Sequence, residues 1–488
     1  MYHKTCSSWL VDRSLALLVV VQVVTLARAA LAKGAVERPN VILMMADDMG
    51  WGDTGYNGHP VLKTPNLDVM AKAGLVFNRF YAGSSVCSPT RGSVLTGRHP
   101  YRYGVTTANK GHLKKEEVCL AEVLKTKGYT TGHFGKWHLG TLTPDFSGKG
   151  KGRKPAENYM TPGMSGFDEW FSTEYAVSTW DPYKPENAHG KYDVRALYWH
   201  NGKNITDGPA AGLTGGDSRI IMDKAIPFIE GAAKKNQPFF AVIWFHAPHM
   251  PVVGGPQYMK MYPNEDQDHQ HYYAVVTAMD EQVGRLRVEL RKLGVADNTM
   301  LWFCSDNGPE GNPAPKGHSQ GSARPYRGRK RSLYEGGVRV PGILEWPAKI
   351  TQHRTTDIPA VTSDYFPTVL EVLGHKLTGK PRPYDGVSLL SLIEGRMTER
   401  SRPIAFQFGS QASLSDNRYK LVANSRKNRP RSDNGKVPTA EWELYDLLND
   451  PSETKNIADQ HVDIAAKMKK TLTKWQASCA ASEEGKDY

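Results

Sequence analysis

Asp47-Asp48 and Asp306-Asn307 stand far apart in the chain, yet each pair directly follows a short apolar run, residues 41–45 and 300–304. Lys136 and His138 end a third such stretch at 130–135, and His246 and His249 follow a fourth at 239–245. Three carboxylates and an amide form an all-oxygen set, which selects a hard cation such as Ca²⁺, with Mg²⁺ the alternative, over Zn²⁺. Each pair alone would be explained as the cap of a turn. Polar clusters at four strand ends are harder to dismiss, because ligands of open α/β sheets gather beyond the carboxyl ends of the strands. They are predicted to converge on one rim.

A fifth element is Cys87-Ser88-Pro89-Thr90-Arg91-Gly92-Ser93-Val94-Leu95-Thr96-Gly97. Pro89 suits the first turn of a helix, so Cys87 is predicted at the positive end of that helix, with Arg91 one turn on and facing the same side. An ordinary free thiol at a cap would not need so long a pattern. Lys136 and His138, two residues apart, share a face if their stretch is extended.

Elements that place these residues can be read from periodicity. Continuous apolar runs fit strands covered on both faces, hence a parallel or mostly parallel sheet. Between them lie helix signals: Thr64-Pro65 opens one that stops at Gly74, a second runs over about 116–127, and a third over about 272–293 carries Val275, Met279, Val283, Leu286 and Leu290 on one stripe. The fold class is α/β: a large mixed, mostly parallel sheet with helices on both faces, followed by a smaller C-terminal antiparallel sheet with a helix. The small sheet is predicted from 418–422 and 442–445, with a final helix over about 464–475.

The 488 residues, 39% hydrophobic and 23% charged, exclude a disordered or collagen-like chain and bury a sizeable core. Residues 1–32 read as a signal peptide: Lys4 and Arg13, an apolar run over 15–27 too short to span a bilayer, then Ala30-Leu31-Ala32. The expected division is 1–32 signal, 33–375 catalytic α/β domain and 376–488 C-terminal α+β subdomain. Removing the signal takes Lys4, Arg13, Arg28 and Asp12 with it and lowers the formal charge from +12 to +10. An exported basic protein suits an anionic glycan better than nucleic acid, and no stable membrane insertion is expected once the signal is gone. Cys87, Cys119, Cys304 and Cys479 remain, too few for a disulfide framework.

With these residues in view, the chain resembles the type I sulfatases of the alkaline phosphatase-like superfamily over nearly the whole mature length. The resemblance rests on the Cys87 motif, on Pro39-Asn40-Val41-Ile42-Leu43 leading into Asp47-Asp48-Met49-Gly50, and on Ser305-Asp306-Asn307-Gly308. It rests also on Gly135-Lys136-Trp137-His138-Leu139-Gly140, on Pro248-His249-Met250-Pro251, and on Lys330 five residues before Glu335-Gly336-Gly337. Ser363-Asp364 with Pro367-Thr368, and Leu444-Tyr445-Asp446-Leu447 with Asp450-Pro451, resemble scaffold landmarks. Thr90 stands where Ser is commoner in the family.

The resemblance implies that a maturing enzyme oxidises Cys87 to formylglycine, whose hydrate is the nucleophile. It implies a calcium ion held by Asp47, Asp48, Asp306 and Asn307 together with the side chain at Cys87. Arg91, Lys136 and Lys330 would neutralise the sulfonyl oxygens, His249 would protonate the leaving oxygen, and His138 would serve the release of sulfate, with His246 a neighbour that could equally be a structural histidine. The expected substrate is a sulfated sugar of a polysaccharide or glycosaminoglycan. A phosphomonoester, phosphodiester or phosphonate hydrolase is the alternative, and a non-catalytic glycan-binding relative a third reading. The region 141–200 carries Lys149, Lys151, Arg153 and Lys154 beside aromatic residues, and with a second basic loop at 426–436 it is expected to choose the substrate. Export implies a periplasmic or secreted protein in a bacterium, and a lysosomal or secretory one in a eukaryote, where the sequon Asn204-Ile205-Thr206 would matter.

Overall fold

The computed structural model describes residues 38–149, 152–188, 192–310, 318–376, 382–423 and 442–488. The signal segment, Lys151 and the basic loop at 426–436 lie outside the described residues.

Five parallel strands form the centre of the main sheet: β1 (Asn40–Ala46), β4 (Thr130–Lys136), β5 (Glu169–Thr173), β8 (Phe239–Trp244) and β9 (Thr299–Ser305). Towards one edge come β11 (Gly342–Glu345), antiparallel to β9, then β2 (Leu75–Phe77) and β12 (Arg354–Thr356). At the other edge β6 (Trp199–His200) and β7 (Lys203–Asn204) run antiparallel beyond β5. The ten strands take the order β12-β2-β11-β9-β1-β8-β4-β5-β6-β7. The expected mixed, mostly parallel sheet is therefore present.

Its position follows from the apolar runs. Every residue of β1 is buried, and the period of two sends Val41, Leu43 and Met45 into one core and Ile42, Met44 and Ala46 into the other. The first core is covered by α2 (Cys87–Thr96), α3 (Leu120–Lys125) and α6 (Tyr365–Val372). The second is covered by α1 (Pro65–Ala73), α4 (Asp217–Lys234) and α5 (Gln267–Lys292). A three-stranded sheet of β3 (Phe80–Tyr81), β10 (Arg339–Val340) and β13 (Ala360–Val361) lies apart from the main one.

The C-terminal antiparallel sheet has four strands, β14 (Ile404–Phe408), β15 (Gln411–Ser415), β16 (Tyr419–Ala423) and β17 (Trp442–Asp446), packed on α7 (Val462–Glu483). Periodicity located only the last two strands, although all four are five residues long. It placed α7 too short as well. Beyond the apolar stripe the helix is held by Ser478 and Ser482, which accept from Arg102 at 2.9 and 3.0 Å. At its other extreme, α3 is shorter than the predicted 116–127, because Cys119 is already the N-cap and its N–H donates to Glu122 at 2.8 Å. α5 starts earlier than predicted, at an Asp266 cap that accepts the His269 N–H at 2.9 Å.

The C-terminal sheet is joined by buried charge to the segment that leads into β10 of the three-stranded sheet. Lys420 of β16 reaches Glu335 at 2.7 Å and Glu453 at 3.2 Å, all three fully buried. The Glu335 of the K-x-x-x-x-E-G-G pattern is thus a tie between the sheets. Asp364 is a comparable anchor, receiving Arg400 at 2.6 and 2.9 Å and the N–H groups of Val361 and Val387.

Candidate active site

The ends of β1, β4, β8 and β9 do converge. β1 pairs with both β8 and β9 along its length, so Asp47-Asp48 and Asp306-Asn307 leave adjacent strands side by side. The Asp48 N–H donates to Asp306 Oδ1 at 3.1 Å, and Asn307 Nδ2 donates to Asp48 Oδ1 at 2.7 Å. Asp48 has φ 67°, a region that few non-glycine residues occupy and that the surrounding bonds must hold in place.

Cations meet these acids one for one. Arg91 Nη2 lies 2.6 Å from Asp306 Oδ2 and 3.6 Å from Asp47 Oδ1, Lys136 Nζ lies 2.5 Å from Asp47 Oδ2, and Lys330 Nζ lies 2.6 Å from Asp48. Arg91 also stacks over Trp244, 5.1 Å from the ring centroid. All these side chains are buried. Burial pushes Asp47 up, but Lys136, His249, Arg91 and Lys330 outweigh it and hold the carboxyl well below the usual range. Asp306 goes the other way, to about 7, through burial and the neighbouring Asp47.

Cys87 is the first residue of α2 and Arg91 follows one turn on, as the spacing predicted. Thr90 uses its hydroxyl twice at 3.0 Å, accepting the Ser84 N–H and donating to the Ser84 carbonyl, so a hydroxyl is what this position requires. Burial pushes the Cys87 thiol up to about 12, and Asp306 and Asp47 add to this against Lys136 and Lys330. The positive end of the helix does not make this thiol a thiolate.

Gly135 sets the entry to Lys136. Its φ is +104°, and a Cβ there would stand 1.9 Å from the Trp244 carbonyl oxygen, so only glycine lets β4 pass β8 at this point. The chain leaves the extended form at His138, which has φ 57°, so the simple two-residue alternation expected for Lys136 and His138 does not hold. His138 is nonetheless brought to the site: it is buried, and burial together with Lys136, Lys149, Arg153 and Arg91 pushes it well below its usual value. Among the described residues neither ring nitrogen has a hydrogen-bond partner.

His249 is oriented by its Nδ1, which donates to the Met250 carbonyl at 2.5 Å and leaves Nε2 facing Asp48 at 3.6 Å. Burial pushes it down to about 4 against the pull of Asp47 and Asp48. Donor atoms of Asp47, Asp48, Cys87 and His249 lie within 4.8 Å of one another. The oxygens Asp47 Oδ1 and Asn307 Oδ1 are buried without hydrogen-bond partners among the described residues. Orphaned anionic and amide oxygens at this point fit a hard cation, whereas both Asp306 oxygens already accept, Oδ1 from the Asp48 N–H and Oδ2 from Arg91.

The sulfatase family model, described simply as "Sulfatase", matches residues 39–375, and that of the N-sulphoglucosamine sulphohydrolase C-terminal region matches 328–478. N-acetylgalactosamine-6-sulfatase of Mus musculus is 34% identical over 403 residues, covering 78% of this chain and 71% of the relative. The chain belongs to the sulfatase family. Arylsulfatase G of Rattus norvegicus is 32% identical over 422 residues, covering 78% of this sulfatase and 75% of the relative. Among solved structures, that of Ps i-CgsB in complex with k-i-k-neocarrahexaose has a TM-score of 0.74 at 25% identity, covering 91% of this chain and 93% of the other. The protein is thus a sulfuric ester hydrolase on an alkaline phosphatase-like α/β fold.

Two further features of this sulfatase come from the structure. His246 has both nitrogens engaged, Nδ1 with Asp217 Oδ2 and Nε2 with Thr173 Oγ1, each at 2.7 Å, so it fastens β8 to α4 and β5 and is not free for the reaction. Beside His249 a cavity of about 370 Å³ opens, lined by Tyr175, Ser178, Tyr192, Leu197, Met250 and Pro251 among others. A slightly larger cavity of about 420 Å³, between Arg102, Asp385, Ile404 and Trp475, is lined by Ser93 and Ser363 but by none of Cys87, Arg91, Lys136, His138, His249 and Lys330. Periodicity gave no sign of the Tyr175 wall, which lies in the irregular segment after β5. A run of aromatics beside basic residues was its only trace.

Proposed function

We propose that this sulfatase releases inorganic sulfate from a sulfated sugar of a polysaccharide or glycosaminoglycan, using formylglycine made from Cys87 and a calcium ion, with magnesium the alternative. The observation that carries this reading is the meeting of Cys87 with three buried cations, Arg91, Lys136 and Lys330, and with the oxygens of Asp47, Asp48, Asp306 and Asn307. The 370 Å³ cavity next to His249 has the room for a sugar ring as leaving group. A relative whose name states N-acetylgalactosamine-6-sulfate chemistry supports the substrate class.

A sulfate monoester surrounds its sulfur with negative oxygens that repel a nucleophile. Arg91, Lys136 and Lys330 hold those oxygens and spread the charge that builds on them. Asp47, Asp48, Asp306 and Asn307 would hold the divalent ion, with the side chain at position 87 as a further ligand, and the ion supplies Lewis-acid polarisation of the sulfonyl group. The hydrated aldehyde supplies what a thiol held near 12 lacks, one hydroxyl to attack sulfur and a second to let the sulfate go. His249 delivers a proton from Nε2 to the ester oxygen as it leaves, and the arriving anion opposes the fall of its pKa. His138, held neutral by burial and its cationic neighbours, accepts the proton when sulfate departs.

Residues 1–32 act as an export signal in this reading, 33–375 form the catalytic domain and 376–488 the C-terminal subdomain. The mature protein works outside the cytoplasm, after a maturing enzyme has met the unfolded Cys87 motif.

The test is the mass of the proteolytic peptide containing Cys87, from protein made in its native source or with a maturing enzyme, followed by a sulfated-glycan panel. An aldehyde and sulfate release from sugars are the expected results. A thiol throughout in an active preparation overturns the nucleophile, and turnover of aryl sulfates alone overturns the sugar substrate.

A further inference from the structure

Lys149 and Arg153 are cations close to the reaction centre whose only part in the chemistry above is to help keep His138 neutral. The loop carrying them is fastened to the end of β5. Glu174 accepts from Ser147 Oγ at 2.6 Å and from the Gly148 N–H at 3.1 Å, while Ser147 Oγ accepts the Lys149 N–H at 3.2 Å. Glu174 also stands 3.5 Å from Arg153 Nη1.

The Lys149 ammonium lies 4.8 Å from the centroid of the Tyr175 ring, and among the described residues no acceptor reaches it. Lys136, Cys87, Arg153 and Lys330 lie near enough to act on its charge, as does the Glu174 carboxylate, so it stands between the reaction centre and the end of β5. Arg153 is 2% exposed, and its Nε, Nη1 and Nη2 have no hydrogen-bond partner among the described residues. A guanidinium carries five donors, and the Glu174 carboxylate at 3.5 Å faces only Nη1, which leaves the other donors buried without a partner and open to a further anion. Tyr175 is at once the ring under Lys149 and a wall of the cavity beside His249. A leaving group seated in that cavity lies against the ring that bears the free ammonium.

We propose that Lys149 and Arg153 form an accessory anion site that binds a second negative group, a sulfate or a carboxylate, on the sugar being cleaved or on its neighbour. The site rests on the sugar reading given above and narrows it to substrates with two or more anionic groups. One anion goes to Arg91, Lys136 and Lys330, and the other to Lys149 and Arg153 across Tyr175.

The experiment is calorimetric titration of the full-length Cys87→Ala chain with three probes: a hexosamine 6-sulfate, the same hexosamine with a second sulfate, and the 6-sulfate joined to a uronic acid. A charge-assisted contact gives at least one doubly anionic probe about tenfold tighter binding than the single sulfate. Preference for the second probe identifies a sulfate as the partner, and preference for the third a carboxylate. Lys149→Met, added to Cys87→Ala, removes the preference, and Arg153→Lys reduces it. Equal affinities, or a preference that survives Lys149→Met, overturn the accessory site while the sugar reading stands. An unchanged preference in Arg153→Lys overturns the part given to Arg153. No binding of any probe, with aryl sulfate still hydrolysed by the mature wild type, overturns the sugar reading and this site with it.

Discussion

Lys136 Nζ lies 2.5 Å from Asp47 Oδ2 with both side chains wholly buried, and a second oxygen of the same carboxylate, Oδ1, has no hydrogen-bond partner among the described residues. Oδ2 of this carboxylate is thus held by a fixed cation, while Oδ1 has Arg91 Nη2 at 3.6 Å and, in the proposed reading, the divalent ion. Removing the lysine tests both halves. Breaking a buried pair by deleting one partner costs about 3–5 kcal/mol. Lys136→Met is expected to lose that much stability in chelator and clearly less in saturating calcium, where the ion joins Arg91 beside Asp47 and replaces the lost charge. Chemical denaturation of the variant with and without calcium measures the difference, and an equal loss in both would count against a cation at Asp47.

Chelation of the wild type carries a related expectation. An ion that binds the folded chain and not the unfolded one stabilises it by about 2.7 kcal/mol at a hundredfold excess over its Kd. Dialysis against chelator is expected to lower the midpoint of thermal unfolding and abolish sulfate release, and calcium to restore both. Insensitivity of turnover to chelation would remove the metal from the reaction.

His246 separates structure from catalysis at one position. Replacing it by Phe empties the bonds to Asp217 and Thr173 and leaves a buried carboxylate short of a partner, a loss of about 1–3 kcal/mol or somewhat more. The same variant is expected to leave KM for a sulfate ester unchanged, because neither ring nitrogen faces the site. Unfolding curves and steady-state kinetics on the one protein check both statements.

His99 makes stability depend on pH. It is buried with its ring edge-on to Trp475 of α7 at 4.7 Å, its Nδ1 accepts the Tyr101 N–H at 3.3 Å, and burial pushes it down to about 3. The unfolded chain takes up this proton near pH 6.5 while the folded chain refuses it until about pH 3. Stability from this group is therefore whole above pH 6.5 and is lost as pH falls through that window, by about 2 kcal/mol at pH 5. His99→Asn, which keeps an acceptor for Tyr101, is expected to show a smaller difference in melting temperature between pH 7 and pH 5 than the wild type. An equal difference would place the acid sensitivity elsewhere.

Much of the candidate site is legible in the sequence because most of its parts lie at a fixed offset from a strand or helix end. Asp47-Asp48 and Asp306-Asn307 follow β1 and β9 directly, and the neighbouring register of those strands is what joins them. Cys87 and Arg91 are related by a single turn of α2. Lys330 lies in no regular element and is legible only through its motif. β14 and β15 were missed although they are as long as β16 and β17, and α7 outran its apolar stripe because Arg102 of a distant segment holds its last turns.

The chain's local order determined its sheet class, its helix faces and the chemical types gathered at the rim, since hydrophobic period and capping act over a few residues. Tertiary structure decided the rest. It paired His246 with Asp217 across the chain, turned His138 out of the strand direction, buried the Cys87 thiol until its helix could no longer ionise it, and set Lys149 over Tyr175 beside the cavity. Each of these depends on burial and on groups brought together through space, and neither quantity exists along the sequence until the sheet has closed over its two cores.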